Sequence, residues 1–290
     1  MNAAARAEHF FLAGPHGRRY CAYYPVPAGQ AARGALLHVA AFGEEMNRSR
    51  RATALAARAL AAQGWAVLHL DLHGCGDSDG DFAEARWNTW KADLALGHAW
   101  LAAHTGGAVG LWGVRLGTLL ALDYARDAAV TVSSPVSCFL LWQPVLRGAV
   151  YLNQMLRQRL ASEMLAGSNA SSQALRAALR REAQEIGGYL VAPELADAIE
   201  ALDAGAMPTP RAPVHWLEVV AAPDRPVPAP AERQAWTWRA QGTPASVRAV
   251  HDEACWSAPE VAECPRLREA TLATLAAPAA PDTEPAREAT

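Results

Sequence analysis

Residues Ala108–Leu119, Ala-Val-Gly-Leu-Trp-Gly-Val-Arg-Leu-Gly-Thr-Leu, read as a buried strand, a turn bracketed by glycines and the start of a helix. This is the form of a nucleophile elbow, G-x-S-x-G, with Arg115 where the serine stands. So sharp a turn thrusts one side chain out from the strand end, and Gly113 and Gly117 supply the small residues that make it sterically possible. The residue thrust out is the wrong one for attack. A guanidinium has no lone pair to offer a carbonyl and stays charged at any physiological pH.

The rest of the chain supplies the sheet that such a turn needs. Residues 8–13 and 18–26 read as short strands joined at Gly14–Gly17, and 35–40 as a fully apolar strand covered on both faces. A helix over 46–63 stops at Gly64, a strand follows at 65–70, and Asp71–Gly80 is a loop rich in turn formers. A helix over 85–104 carries Trp87, Trp90, Leu94 and Leu101 along one face. Further strands are expected at 136–142, 214–220 and 246–251, with a final helix over 259–276. Strands alternating with helices imply a mainly parallel sheet with helices on both faces.

Residues 143–210 break that alternation. They hold no convincing strand, and Tyr151, Leu152, Met155, Leu156, Leu160 and Met164 form one helical stripe, with further helices at 172–186 and 193–202. The expectation is a helical cap insertion over the site; the alternative is a helical pair packed beside the sheet. The chain then divides into a core of 1–142 and 211–276, a cap of 143–210, and a Pro- and Ala-rich tail, 277–290, expected to be disordered. Trp87, Trp90, Trp100 and Trp112 are expected in the core. Trp236 and Trp238 alternate as on an edge strand or at a pocket mouth.

Composition narrows the function classes. A net charge of −3 over 290 residues leaves no nucleic-acid footprint. Five cysteines without a C-x-x-C pair point neither to a disulfide framework nor to a zinc site, and no metal or cofactor is expected. No apolar run is long enough for a membrane span, and the first residues lack the apolar stretch of a signal peptide. A cytoplasmic protein is the expectation.

Three segments resemble the α/β-hydrolase superfamily over residues 8–276: the Asp71–Gly80 loop, the elbow at 113–117, and Ala222-Pro223-Asp224-Arg225-Pro226-Val227-Pro228. More narrowly, Phe42–Arg51, Asp71–Ser78, Trp112–Gly117, Leu141–Val145 and Glu260–Pro265 resemble the exosortase A system-associated hydrolase 2 family. That resemblance implies an α/β-hydrolase fold and a setting in Gram-negative bacteria that pair exopolysaccharide synthesis with protein sorting. It also implies that the elbow arginine belongs to the family. Components of that system are the partners it suggests, beside a small-molecule acyl or anionic ligand.

The superfamily's triad order is nucleophile, acid, base. Arg115 holds the first position. Asp224 holds the acid position, though a solvated turn aspartate before proline reads as well. His251 is a displaced candidate base or a half-buried strand-end histidine; in the usual register Ala254 or Cys255 stands at the base position, followed by Trp256. Cys75 and Ser78, expected on the same face, are alternative nucleophiles, with Ser78 also suited to bracing its loop. Amides near Ala41-Phe42 and at Leu116 are placed for an oxyanion hole.

Arg115 itself has two readings. At a helix start it makes a fork for a carboxylate, phosphate or sulfate; otherwise it forms a structural ion pair with an acid such as Asp71 or Asp224. Arg48, Arg50 and Arg51 either add a positive rim or form a solvated face with Glu44 and Arg48 at i,i+4. Two functions follow. One is hydrolysis of an ester, thioester or related acyl group with a non-standard residue set. The other is an inactive, pseudoenzyme member that binds an anionic ligand or a partner protein through Arg115.

Overall fold

The computed structural model describes residues 6–131, 134–165, 171–258 and 260–276; the expected disordered tail lies outside them. The chain opens with a hairpin, β1 (Glu8–Gly14) and β2 (Gly17–Tyr24). It then alternates through β3 (Gly34–Val39), α1 (Glu44–Ala61), β4 (Trp65–Leu70), α2 (Trp87–Thr105), β5 (Val109–Val114), α3 (Gly117–Thr131) and β6 (Val136–Trp142). An insertion follows, made of α4 (Gly148–Leu165), α5 (Ser172–Leu179), β7 (Gln184–Ile186), β8 (Tyr189–Val191) and α6 (Pro193–Glu200). The chain returns with β9 (Val214–Val220), α7 (Ala229–Ala240), β10 (Ala245–His251) and α8 (Pro265–Ala276).

The eight strands outside the insertion form one sheet in the order β1-β2-β4-β3-β5-β6-β9-β10, antiparallel only where β1 and β2 join it. Its central strands are buried on both faces because their sequences are apolar on both. Alternate residues point opposite ways. Leu37, Leu68, Leu111 and Phe139 pack with residues of α2, α3 and α7, whereas Leu36, Val67, Trp112 and Leu140 pack with α1 and α8. Trp87, Trp90 and Trp112 are in this core, and Trp100 packs against it.

The Asp71–Gly80 loop is braced from three directions. Asp93 of α2 accepts from Arg19 Nε at 2.6 Å and from the His73 amide at 2.7 Å, in a nearly solvent-free ion pair. Trp90 Nε1 donates to the His73 carbonyl at 3.0 Å. Asp71 holds Arg50 Nη2 through both oxygens, at 3.0 and 2.9 Å, and accepts from the Asp77 amide at 3.0 Å. Gly76, at φ 56°, is required here, since a Cβ would lie 1.9 Å from Asp71 Oδ2.

The insertion corrects two expectations. It is not all-helical: β7 and β8 form an antiparallel hairpin, closed by Gly187 and Gly188 at φ 61° and 84°. A two-residue turn with both φ values positive matches strand twist and suits Gly-Gly, so the helix expected over 172–186 ends at Leu179 instead. Tyr189 at the hairpin clamps the insertion to the core, its hydroxyl accepting from Asn47 Nδ2 at 2.6 Å and its ring packing on Phe82. Outside the insertion, Trp236 and Trp238 lie on helix α7 rather than on an edge strand, Trp238 buried and Trp236 exposed. The last helix begins at Pro265, a residue suited to a first helical turn, rather than at 259.

Helix α3 starts against the end of β3. A Cβ on Gly117 would lie 2.2 Å from the Val39 carbonyl oxygen and 2.3 Å from that of Ala40, both fixed backbone atoms. Gly117→Ala is therefore expected to cost about 3 kcal/mol of stability by overpacking. Urea denaturation measures this, and a loss within about 0.5 kcal/mol of zero would show that the close approach is not a constraint.

Candidate active site

Arg115 sits at the elbow with φ 53°, a left-handed conformation that an L side chain adopts only under constraint. Backbone hydrogen bonds hold it there. Its amide donates to the Trp142 carbonyl at 3.0 Å, and its carbonyl accepts from the amides of Thr118 at 3.1 Å and Val145 at 3.2 Å. Gly113 lets the turn close, since a Cβ there would lie 2.8 Å from Thr118 Cα. The tight turn expected between Gly113 and Gly117 is thus formed, with Arg115 at its apex.

The guanidinium is only 11% exposed and is not free. Nε and Nη2 both donate to Glu45 Oε1 at 3.0 Å, and Nη1 reaches the Gln143 carbonyl at 3.5 Å. Tyr151 and Trp256 present ring faces at 5.9 and 5.7 Å. Tyr151 also donates its hydroxyl to Glu45 Oε2 at 2.9 Å; burial pushes that phenol well above its ordinary pKa, so it remains a donor. Glu45 lies in the first turn of α1, where the helix dipole favours a carboxylate. Both its oxygens are taken.

The partner of Arg115 is therefore neither Asp71 nor Asp224. Asp71 is committed to Arg50. Asp224 is exposed and, among the described residues, makes no hydrogen bond or ion pair. No hydrogen bond joins it to His251, whose Nδ1 instead meets Arg266 Nη1 at 2.6 Å. That contact makes Nδ1 an acceptor, the opposite of the role a triad acid would assign it. Cys255, in the usual register of the base, is fully buried, while the neighbouring Trp256 packs on Arg115.

The alternative nucleophiles are placed as follows. Burial, reinforced by the Asp71 charge, pushes the Cys75 thiol up to about 12, so thiolate is scarce at neutral pH. Ser78 Oγ donates to the Asp71 carbonyl at 2.6 Å and accepts from the Tyr20 amide at 2.9 Å, bracing the loop. Of the two readings of Arg48, Arg50 and Arg51, the paired, solvated face holds and the positive rim does not form. Arg48 pairs with Glu44 at 3.1 Å and donates to the Ala258 carbonyl, Arg50 pairs with Asp71, and Arg51 pairs with Glu263. Each guanidinium is neutralised within its own surface.

The amides of Phe42 and Leu116 remain without a hydrogen-bond acceptor among the described residues. Both residues line an apolar cavity of ≈ 20 Å³ beside the elbow, with Cys75, Trp87, Trp90 and Leu120. That is about the room one water needs. Sequence reading missed Glu45 and Tyr151, and also the Gln143–Glu218 pair behind them. Gln143, at φ 43°, donates Nε2 to Glu218 at 3.0 Å, and Trp216 Nε1 donates to the same carboxylate at 2.7 Å. Burial raises the pKa of Glu218, against the opposing pull of those two donors and of the Arg115 charge. The signal for Glu45 was present, since an acidic pair opens a helix immediately after the oxyanion-type loop.

The sequence profile of the X-Pro dipeptidyl-peptidase (S15) family matches residues 21–240. Among curated proteins none matches the sequence significantly. Solved structures share the fold at low identity. Est1E from Butyrivibrio proteoclasticus, with ferulic acid bound, is 14% identical with a TM-score of 0.62, over 92% of this chain and 96% of that one. An alpha-beta hydrolase from Vibrio vulnificus is 16% identical with a TM-score of 0.53, over 84% and 73%. N-formylmaleamic acid deformylase from Pseudomonas putida S16 is 15% identical with a TM-score of 0.53, over 93% and 100%. The architecture is the α/β-hydrolase fold.

Two outcomes follow from this geometry. Iodoacetamide at pH 8 should leave Cys75 unmodified in the native protein, as read by peptide mass spectrometry; rapid labelling would show an accessible thiolate. Glu45→Gln leaves Arg115 half-sealed without its counter-charge and is expected to cost about 1–3 kcal/mol in denaturant unfolding. An unchanged midpoint would show the pair to be energetically idle.

Proposed function

Because this chain belongs to the X-Pro dipeptidyl-peptidase (S15) family yet carries Arg115 at its elbow, we propose that it is a non-hydrolytic member that binds a carboxylate-bearing acyl ligand. The observation that carries this reading is the seat of Glu45: a carboxylate already rests on the Arg115 guanidinium through two 3.0 Å hydrogen bonds. What one carboxylate of the chain does there, a ligand's carboxylate can do in its place. Room exists beside it. A cavity of ≈ 50 Å³ between α1 and α4 is lined by Glu45, Tyr151, Gln154, Met155 and Ile186. The insertion at 143–210 acts in this reading as a cap over the ligand.

The setting we propose is the one implied by the resemblance to the exosortase A system-associated hydrolase 2 family. The ligand then belongs to a cytoplasmic branch of an exopolysaccharide and protein-sorting system. The motif segments around Phe42–Arg51 and Trp112–Gly117 support it, and they include both Glu45 and Arg115.

A second reading, hydrolysis of an ester or thioester, is favoured by one observation: the Phe42 and Leu116 amides are unpaired beside the elbow, where an oxyanion would sit. It requires Asp224 and His251 to act from positions that do not meet here.

The two readings separate in one set of measurements. Propionate is expected to raise the Tm of Glu45→Ala by about 2–4 °C at saturating concentration, more than it raises that of the parent. Arg115→Ala should abolish the shift, with chloride as the ionic control. A shift independent of Arg115 would overturn carboxylate binding. Short-chain aryl esters should turn over no faster with the parent than with Arg115→Ala; turnover that collapses in Asp224→Asn would establish hydrolysis instead.

A further inference from the structure

A third cavity, of ≈ 150 Å³, lies on the face of the sheet covered by α1. Its walls come from the β1–β2 hairpin, the ends of β3 and β4, and one side of α1. Ala40 and Met46 partition it from the small void at the elbow. The room arises from side-chain size. Ala22, Ala40 and Ala54 stand where larger residues would fill the gap between sheet and helix. A water needs about 10–15 Å³ by this kind of measure, so the space far exceeds a single solvent site.

His38 and His69 are paired in register on adjacent strands and stack with ring centroids 4.2 Å apart, and both line the cavity. Neither imidazole makes a hydrogen bond among the described residues. Nε2 of each ring is sealed in the interior without a partner, which leaves Nδ1 as the nitrogen available to a cavity occupant. His38 is 6% exposed. The two Nδ1 atoms are different: they are not sealed and have no protein partner among the described residues, so an occupant of the cavity meets two ring nitrogens free to bond.

We propose that this cavity is a binding site for a small uncharged polar molecule that carries both hydrogen-bond donors and acceptors, seated on His38 and His69. The wall has no net charge to offer an ion. Arg50 and Asp71, which both line it, are paired with each other. Burial lowers the His38 pKa to about 3 and that of His69 well below the ordinary value, so both rings are neutral at physiological pH. An ion brought in would lose its hydration without gaining a counter-charge. A neutral molecule with mixed polarity fits the lining better. Each neutral imidazole offers the occupant its Nδ1, a donor in one tautomer and an acceptor in the other. Ser49 and Thr53 donate their hydroxyls to the carbonyls of Glu45 at 2.7 Å and Ser49 at 3.1 Å, which leaves their oxygen lone pairs open to a ligand.

The test uses the full chain labelled with nitrogen-15, reading the imidazole nitrogens of His38 and His69 by long-range proton–nitrogen correlation. Acetamide and glycerol are the probes; acetate and methylammonium are charged controls of similar size. Saturable shifts at both histidines with acetamide and glycerol, and weaker or none with the ions, are the expected result. Ala54→Phe, which fills the cavity from α1, should abolish them while circular dichroism stays native; Ala22→Leu fills it from β2 if the first variant does not fold. Three results would overturn the proposal. These are no saturable shift with either neutral probe (a cavity holding solvent only), a response to acetate or methylammonium as strong as to acetamide, or an unchanged response in a folded, cavity-filled variant.

Discussion

Helix α3 can begin where it does only because Gly117 has no side chain to collide with the carbonyls of Val39 and Ala40. That close approach sets the tightness of the turn, and the turn sets the left-handed backbone of Arg115. A long cation is thereby driven into a space enclosed by α1, α4 and the loop before α8. The rest of the site reads as an answer to that cation. Glu45 neutralises it, Tyr151 fixes Glu45 from the insertion, and Trp256 covers it from the loop before α8.

Charge is settled locally throughout the region. Arg19 is matched by Asp93, Arg50 by Asp71, and Arg115 by Glu45, each within 3.0 Å. The residues considered as catalytic groups are likewise engaged or protonated: His251 faces Arg266, Ser78 braces its own loop, and Cys75 is a buried thiol. The fold supplies a hydrolase frame without dictating that it be used for hydrolysis.

Much of the frame was legible from sequence, and the reason is physical. Strands such as Trp65–Leu70 and Val136–Trp142 are mostly apolar, with one polar residue each, so their limits follow the limits of hydrophobicity. The hairpin of β7 and β8 was not legible by that route. Each of its strands is three residues long, too short to establish a period, and it was announced only by the Gly187-Gly188 pair at its turn. Trp236 and Trp238 misled for a related reason, since two residues separated by one can alternate on a strand or straddle a helix edge. At the site, the position of Arg115 was readable because the glycines on either side announce it. Its partner was not, because Glu45 is 70 residues away in the chain and reaches it only through the β3–β5 pairing. Asp71 and Asp224 were plausible partners by motif; packing decided against both.

The Arg115–Glu45–Tyr151 arrangement also bears on how such a chain can change over time. Placing a serine at the elbow by a single substitution would leave the Glu45 carboxylate, 18% exposed, with its guanidinium gone and only a phenol to answer it. Removing Glu45 first would strand the guanidinium in the same way. Either step alone is expected to lower stability, because it leaves a largely buried charge without its partner. The pair thus works as a lock: from this chain, a small uncharged residue at position 115 is reached by two coordinated changes rather than one.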